Sequence, residues 1–252
     1  MLKILLNGAC GRMGRTVAAM AEGRADMEIV AGVDVRPQNY AGFPVYADIY
    51  EFVGEADVVV DFTVACALDR TLAYCVRRGL RLIVATTGHT PQQIAALRAA
   101  SEHIAVFKSA NMSLGVALLA DLVRRACHVL GDAYDVEIVE RHHNQKVDAP
   151  SGTALMLADA AAQALPYDAQ YQYNRHALRQ ERPKNEIGIH SVRGGTIVGE
   201  HTVIFAGADE VIELRHSAQS RALFATGAIR AVLFLSAKES GYYDMEDLVA
   251  SL

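Results

Sequence analysis

Over its first hundred residues the chain alternates short, wholly apolar runs with longer stretches of helical periodicity. Leu2 to Asn7, Glu28 to Asp34, Val58 to Phe62, Leu80 to Ala85 and Ile104 to Lys108 read as strands. Arg12 to Glu22 reads as a helix, as does Cys66 to Arg78 with Gly79 as its C-cap. Pro91 to Ser101, with proline in its first turn, reads as a third helix. Strands that are apolar on both faces and separated by helices predict a doubly wound parallel sheet.

The pattern changes near residue 111. Leu114 to Leu130 reads as a long helix, Tyr134 to Arg141 as a strand and Gly152 to Leu165 as a helix. Tyr167 to Asn185 is a polar, tyrosine-rich excursion. Strands are then expected over Ile187 to Arg193, Thr196 to Phe205 and Glu210 to His216, with turns at Gly194-Gly195 and Gly207-Ala208-Asp209. Turns of this kind predict hairpins, hence a smaller α+β unit with a largely antiparallel or mixed sheet. Ser220 to Lys238 returns to a strongly apolar helix, assigned to the first domain. The expected division is residues 1–112, completed by 220–252, and residues 113–219.

Composition narrows the class. The 252 residues are 52% apolar and 21% charged, enough for a real core without disulfides or metals. A formal charge of −5 argues against nucleic-acid binding by phosphate neutralisation and against an anionic membrane surface. Cys10, Cys66, Cys75 and Cys127 show no metal or redox spacing and read as the reduced thiols of a cytoplasmic protein. The apolar start at Met1 to Leu6 stops at Asn7-Gly8, far short of a signal sequence, and no apolar run approaches a membrane span.

Against this background the loop Gly8-Ala9-Cys10-Gly11-Arg12-Met13-Gly14 stands out, because it joins a strand to a helix. Small residues there let the backbone approach a pyrophosphate, and the helix N-terminus supplies N–H donors. The spacing is G-x-x-G-x-x-G, and Asp34 follows at the end of the second strand, placed to bind a ribose diol. These features predict a Rossmann-like dinucleotide site. Asp34 favours NADH and Arg36 offers a cation for the 2′-phosphate of NADPH, so use of both is expected. The loops Thr86-Thr87-Gly88-His89 and Ser109-Ala110-Asn111-Met112-Ser113 lie at strand carboxyl ends, where ligands bind open α/β sheets. From spacing alone, ordinary turn formation and helix capping by Thr90 or Ser113 is the stronger reading of each loop taken separately.

A second concentration of chemistry lies in Glu140 to Leu155. Arg141, His142, His143 and Lys146 gather up to four cations in six positions of an acidic protein. Such a cluster repels itself and calls for an anion. Pro150-Ser151-Gly152-Thr153 opens a helix whose amides form a second anion site. Together they point to a small anionic substrate, with histidine and lysine able to move protons. No metal is expected, since adjacent strand residues face opposite ways and no third ligand stands nearby. A polar turn with a surface lysine is an equal alternative for the cluster, and Ser151 reads as a helix cap.

These residues carry a resemblance. The glycine loop and the E-x-H-H-x-x-K-x-D-A-P-S-G-T-A segment, Glu140 to Ala154, closely resemble the dihydrodipicolinate reductases. The likeness extends through Thr86-Thr87-Gly88, Ser109 to Ser113, Arg193 to His201 and Lys238 to Met245. It implies hydride transfer from NADH or NADPH to a cyclic dicarboxylate imine, 4-hydroxy-tetrahydrodipicolinate, with loss of water, on the route to diaminopimelate and lysine. It implies proton transfer by His142 and Lys146, and substrate contacts from His143, Gly152 and Thr153. Implied cofactor contacts are Gly8, Ala9, Cys10, Gly11, Arg12, Met13, Asp34, Ala85, Thr86, Thr87, Ser109, Ala110, Asn111 and Met112, with Arg221 and Phe224 on the nicotinamide side. It further implies a homotetramer joined through the second domains. In one departure from the family pattern, Val35 stands where a basic residue often follows the ribose-binding acid, with Arg36 one place later.

Overall fold

The structure, a computed structural model, describes residues 1–252. In chain order the elements are β1 Leu2–Asn7, α1 Arg12–Ala21, β2 Met27–Val33, β3 Val45–Tyr46, β4 Val58–Asp61, α2 Leu68–Arg78, β5 Arg81–Val84, α3 Pro91–Ala100 and β6 Ala105–Lys108. They continue as α4 Leu114–Leu130, β7 Asp135–His142, α5 Gly152–Ala164, β8 Gln170–Gln172, β9 Glu186–Arg193, β10 Gly199–Ala206 and β11 Val211–Ala218. The chain ends with α6 Ala222–Ser236, β12 Gly241–Tyr243 and α7 Met245–Ala250. Two compact units result: Met1–Ser113 with Ala222–Leu252, and Leu114–Arg221.

The first unit is built on a seven-stranded sheet in the order β12-β6-β5-β4-β1-β2-β3. Every pairing in it is parallel. Its inner strands are apolar on both faces because helices cover both: β4 is buried at all four positions. Helix α1 packs against α6, and α2 against α3. Local chemistry sets the helix ends. Gly79 closes α2 with φ 64°, and Thr90 opens α3 with a reciprocal capping box to Gln93. Helix α6 approaches the Met112 backbone so closely that a Cβ at Gly227 would lie 1.6 Å from the Met112 carbonyl oxygen. Three elements of this unit have no counterpart in the sequence reading: the two short edge strands β3 and β12, and α7 with its Asp244–Asp247 capping box.

The second unit holds a five-stranded mixed sheet in the order β11-β10-β7-β9-β8. Helices α4 and α5 pack together, and their apolar faces meet Val136, Ile138, Ile189, Val203 and Phe205 in one core. The expected hairpin between the strands around Gly194-Gly195 is not formed. Strand β7 lies between β9 and β10, parallel to the first and antiparallel to the second. The glycine turn crosses the end of β7 instead: Gly194 N–H donates to the His142 carbonyl at 2.9 Å, and Asn144 N–H donates to the Gly195 carbonyl at 3.2 Å. The polar excursion also contains β8, which pairs parallel with β9.

Candidate functional site

In the first unit the glycine loop is held by its own backbone. Gly8 and Ala9 N–H groups both donate to the Val33 carbonyl, at 2.8 and 3.1 Å. Gly8 adopts φ 82°, and a Cβ there would stand 2.9 Å from the Phe62 carbonyl carbon. A Cβ at Gly14 would lie 2.3 Å from the Gly8 carbonyl oxygen, so helix α1 starts against the loop only because Gly14 is bare. Gly11 is the N-cap of α1, with exposed Arg12 and half-buried Met13 following. Asp34 binds the loop from the end of β2. One carboxylate oxygen accepts from Cys10 N–H at 3.0 Å and the other from Arg36 N–H at 3.1 Å. Tyr40 reinforces the loop by donating its hydroxyl to the Ala9 carbonyl at 2.7 Å.

A cleft of about 350 Å³ opens beside this loop, lined by Gly8, Gly11, Asp34, Val35, Thr63 and Arg70 among others. Its Thr63 wall is fixed by Asp61, which is fully buried at the end of β4. One Asp61 oxygen accepts from both the Thr63 N–H at 3.0 Å and the Thr63 hydroxyl at 2.6 Å. The other has no partner, and burial pushes the Asp61 carboxyl above its ordinary pKa.

The strand-end loops of this unit are also knit together. Ala85, Thr86 and Thr87 follow β5, and the Thr86 hydroxyl lies 3.0 Å from His89 Nε2. Lys108 donates to the Thr86 carbonyl at 2.9 Å, and burial holds its pKa below the ordinary value. Ser109 N–H donates to the Val84 carbonyl, and its hydroxyl to the Asn111 carbonyl. The Asn111 side chain accepts from Ser113 N–H, Ala110 is exposed, and Met112 is buried under α6. Phe224 is half-buried in the first turn of α6, and Arg221 is exposed just before it.

The second unit assembles the other constellation. Alternate residues of β7 point into its core, and the inward row runs Val136, Ile138, Glu140, His142. Its last two members are polar, and there the N-terminus of α5 arrives. Ser151 caps α5 by accepting from Ala154 N–H at 3.1 Å, with Gly152 and Thr153 as the first two helical residues. Glu140, fully buried, is the hub. Arg193 grips its two oxygens at 2.8 and 2.7 Å, the Ser151 N–H donates to it at 3.1 Å, and His142 Nδ1 lies 2.5 Å away. Burial alone raises a carboxyl pKa, but hydrogen bonds from Arg193 and His142 overcome it and hold Glu140 at about 2. Burial keeps His142 below its ordinary value despite the opposing pull of Glu140. The His142 ring meets that of His201 edge to face, centroids 5.2 Å apart. Burial, followed by the charge of His142, pushes His201 down to about 4. A Cβ at Gly199 would come within 3.0 Å of His142 Nε2, so glycine there leaves the ring its space.

The repulsion expected within the cation cluster is relieved in part by the chain itself. Chain carboxylates meet three of its four members: Glu140 meets His142, Glu200 meets Arg141 at 3.3 Å, and both oxygens of Asp148 accept from Lys146 at 2.7 and 2.8 Å. His143 is half-buried just beyond β7. The sequence reading assigned no role to Glu140, Arg193 or His201, which the fold gathers around His142. Glu140 had a local cue, since residues two apart on a strand share a face. Arg193 and His201 reach the site only through strand pairing.

No group of three or more His, Cys, Asp or Glu side chains is arranged to hold a metal ion, and no helix is long and apolar enough to cross a membrane. The glycine loop, with bare positions that a Cβ would fill and an acid at the end of β2, fits a dinucleotide.

Comparison with known proteins agrees over both units. Residues 2–112 match the family model for the dihydrodipicolinate reductase N-terminus, and residues 115–249 that for its C-terminus. A 4-hydroxy-tetrahydrodipicolinate reductase of Caldanaerobacter subterraneus subsp. tengcongensis is 49% identical over 249 residues, 99% of this chain and 98% of that one. One from Clostridium tetani is 43% identical over 251 residues, 100% of this chain and 98% of that one. The solved structure of a dipicolinate-bound dihydrodipicolinate reductase from Paenisporosarcina sp. TG-14 superposes with a TM-score of 0.82 at 25% identity, covering 98% and 99% of the two chains. A C. glutamicum DAP dehydrogenase in complex with DAP shares the fold alone, with a TM-score of 0.60 at 13% identity over 98% and 95%. With both halves matched and the full length covered, the chain belongs to the dihydrodipicolinate reductase family.

Proposed function

We propose that the first unit of this chain holds NADH or NADPH and that the second holds and protonates a cyclic dicarboxylate. The chain is a nicotinamide-dependent oxidoreductase that reduces 4-hydroxy-tetrahydrodipicolinate, with loss of water, in lysine and diaminopimelate biosynthesis. The observation that carries the division of roles is the buried Glu140 aligning His142 beside the N-terminus of α5.

Residues of the glycine loop, Gly8 to Met13, cradle the pyrophosphate, and Asp34 accepts from the ribose hydroxyls. Its two oxygens keep lone pairs beyond those used by Cys10 and Arg36. The exposed Arg36 side chain serves the 2′-phosphate of NADPH, so both cofactors are used. Ala85 to Thr87, Ser109 to Met112, Arg221 and Phe224 bind the nicotinamide half. When bound, the dihydronicotinamide supplies the hydride.

Gly152 and Thr153 take a substrate carboxylate at the positive end of α5, and His143 contacts the same molecule. Hydride addition leaves an electron-rich ring carbon, to which His142 and Lys146 deliver a proton. Without substrate His142 is held neutral; a bound dianion beside it favours the protonated ring. Substrate charge thereby arms the donor. Edge strand β11, eight residues long, supports joining of these sheets into a homotetramer, in the cytoplasm.

The test follows nicotinamide absorbance with the freshly made condensation product of aspartate semialdehyde and pyruvate, comparing NADH with NADPH. Substrate-dependent oxidation with both is expected. Sound cofactor binding without any oxidation would overturn the reading.

A further inference from the structure

The donors around Glu140 outnumber what a structural ion pair requires. Its two oxygens receive Arg193 from β9, Ser151 N–H from the start of α5, and the His142 ring from its own strand. The carboxylate is ionised and accepts only, so the hydrogen between Glu140 and His142 belongs to Nδ1. In the neutral ring Nε2 then carries the lone pair.

We propose that Glu140 is a positioning residue of this reductase: it fixes the tautomer and orientation of His142, so that Nε2 alone exchanges the catalytic proton. The proposal rests on His142 acting as the proton donor. The same carboxylate ties His142 to the first amide before the α5 carboxylate site, so donor and substrate anchor share one rigid reference point. Arg193 neutralises Glu140, and its guanidinium also donates to the Asp148 carbonyl at 2.7 Å, which braces the loop that carries Lys146. The charged and titratable groups facing His142 are Glu140 on β7, Arg193 on β9, His201 on β10, and Lys146 with Asp148 on the loop. His216 stands behind His201 on β11. His201 stays neutral above its pKa of about 4, so it places no second positive charge beside the ring.

Glu140→Gln leaves one carbonyl oxygen for four donors and turns an N–H₂ group toward two of them. The expected result is a loss of kcat on the order of 100-fold, with KM for NADH unchanged and the pH profile of kcat displaced. The ¹⁵N spectrum of His142 in the wild-type protein, recorded without substrate at pH 8, reads the tautomer directly and needs no variant. A protonated Nδ1 with a bare Nε2 is expected there, and a mixed tautomer in Glu140→Gln. A wild-type ring protonated on Nε2, or a folded Glu140→Gln with unchanged kcat and pH profile, would overturn the proposal. If Glu140→Gln fails to fold, the wild-type spectrum decides alone. Failure of the underlying reading looks different: wild-type protein with the expected tautomer whose His142→Gln variant turns over normally.

Discussion

Asp34 accepts the backbone N–H of Cys10, 24 residues away in sequence, at 3.0 Å. The acid proposed to bind the ribose therefore also shapes the glycine loop. Asp34→Ala removes both contributions, but only NADH depends on the acid for its ribose diol. KM for NADH is expected to rise about 10- to 100-fold, the value of a hydrogen bond to a charged group, and KM for NADPH to rise less. Steady-state kinetics with both cofactors check this, and equal losses would remove Asp34 from ribose recognition.

Lys146 holds Asp148 with both carboxylate oxygens within 2.8 Å. For substrate to use this ammonium, that pair must open or be shared. Lys146→Ala is expected to lower kcat by roughly 100-fold or more while dinucleotide affinity, measured by fluorescence titration, stays at the wild-type value. Undiminished turnover would take Lys146 out of proton transfer.

The pH dependence follows from the depressed pKa of His142. A proton donor must be protonated, so rate falls as pH rises through its pKa. In the free enzyme that pKa lies below 6.5, so kcat/KM should begin to fall at a pH below the ordinary histidine range. Bound dicarboxylate raises it, so kcat should hold to higher pH before falling. Coincident limbs in the two profiles would count against arming by substrate. His142→Gln should lack both limbs.

Two buried carboxyls link stability to pH with opposite signs. Glu140 is depressed to about 2, so its contribution is complete above its ordinary 4.5 and is lost as pH falls toward 2. Asp61 is raised, so the fold binds its proton more tightly than the unfolded chain does, and stability declines as pH climbs above 3.8. Asp61→Asn should therefore stabilise the protein at pH 7 relative to wild type and lose that advantage at pH 4. Urea unfolding at the two pH values measures the difference.

Helix α6 tests close packing. Gly227→Ala places a methyl 1.6 Å from the Met112 carbonyl oxygen and should cost about 1–3 kcal/mol or more, with weaker cofactor binding through the displaced Ser109–Met112 loop. Gly42→Ala, where the added methyl meets nothing within 4 Å, should stay within about 0.5 kcal/mol of wild type. Thermal melts of the two variants make the comparison.

The parallel sheet was legible because its cues are local. An apolar run, Gly8 to Gly14, and a helix lie within 21 residues, and Asp34 closes the motif. Four strands of the second sheet were legible, while β8 and the strand order were not. Gly194-Gly195 looks like any hairpin turn, and no nearby residue announces that β7 will enter between β9 and β10. The same limit hid the hub: Arg193 and Glu140 are 53 residues apart. The crowding of cations at Arg141 to Lys146 was visible, but one of their carboxylates, Glu200, lies 59 residues from Arg141. Helix α7 is a different case. Its Asp244 and Asp247 carry a capping pattern that sequence reading can find, obscured only by the short length of the helix.

Strand β7 is hydrogen-bonded along both sides, to β9 and to β10. This has a consequence for how the protein tolerates insertions and deletions. Gaining or losing one residue within β7 reverses the faces of everything beyond it, turning His143 inward in place of His142 and Arg141 in place of Glu140. Neither neighbour can slide to compensate, because each is fixed to a further strand. The segment between α5 and β9 is under no such constraint except at the three residues of β8. Length variation among working descendants of this chain should gather there and be absent from the eight residues that end at His142.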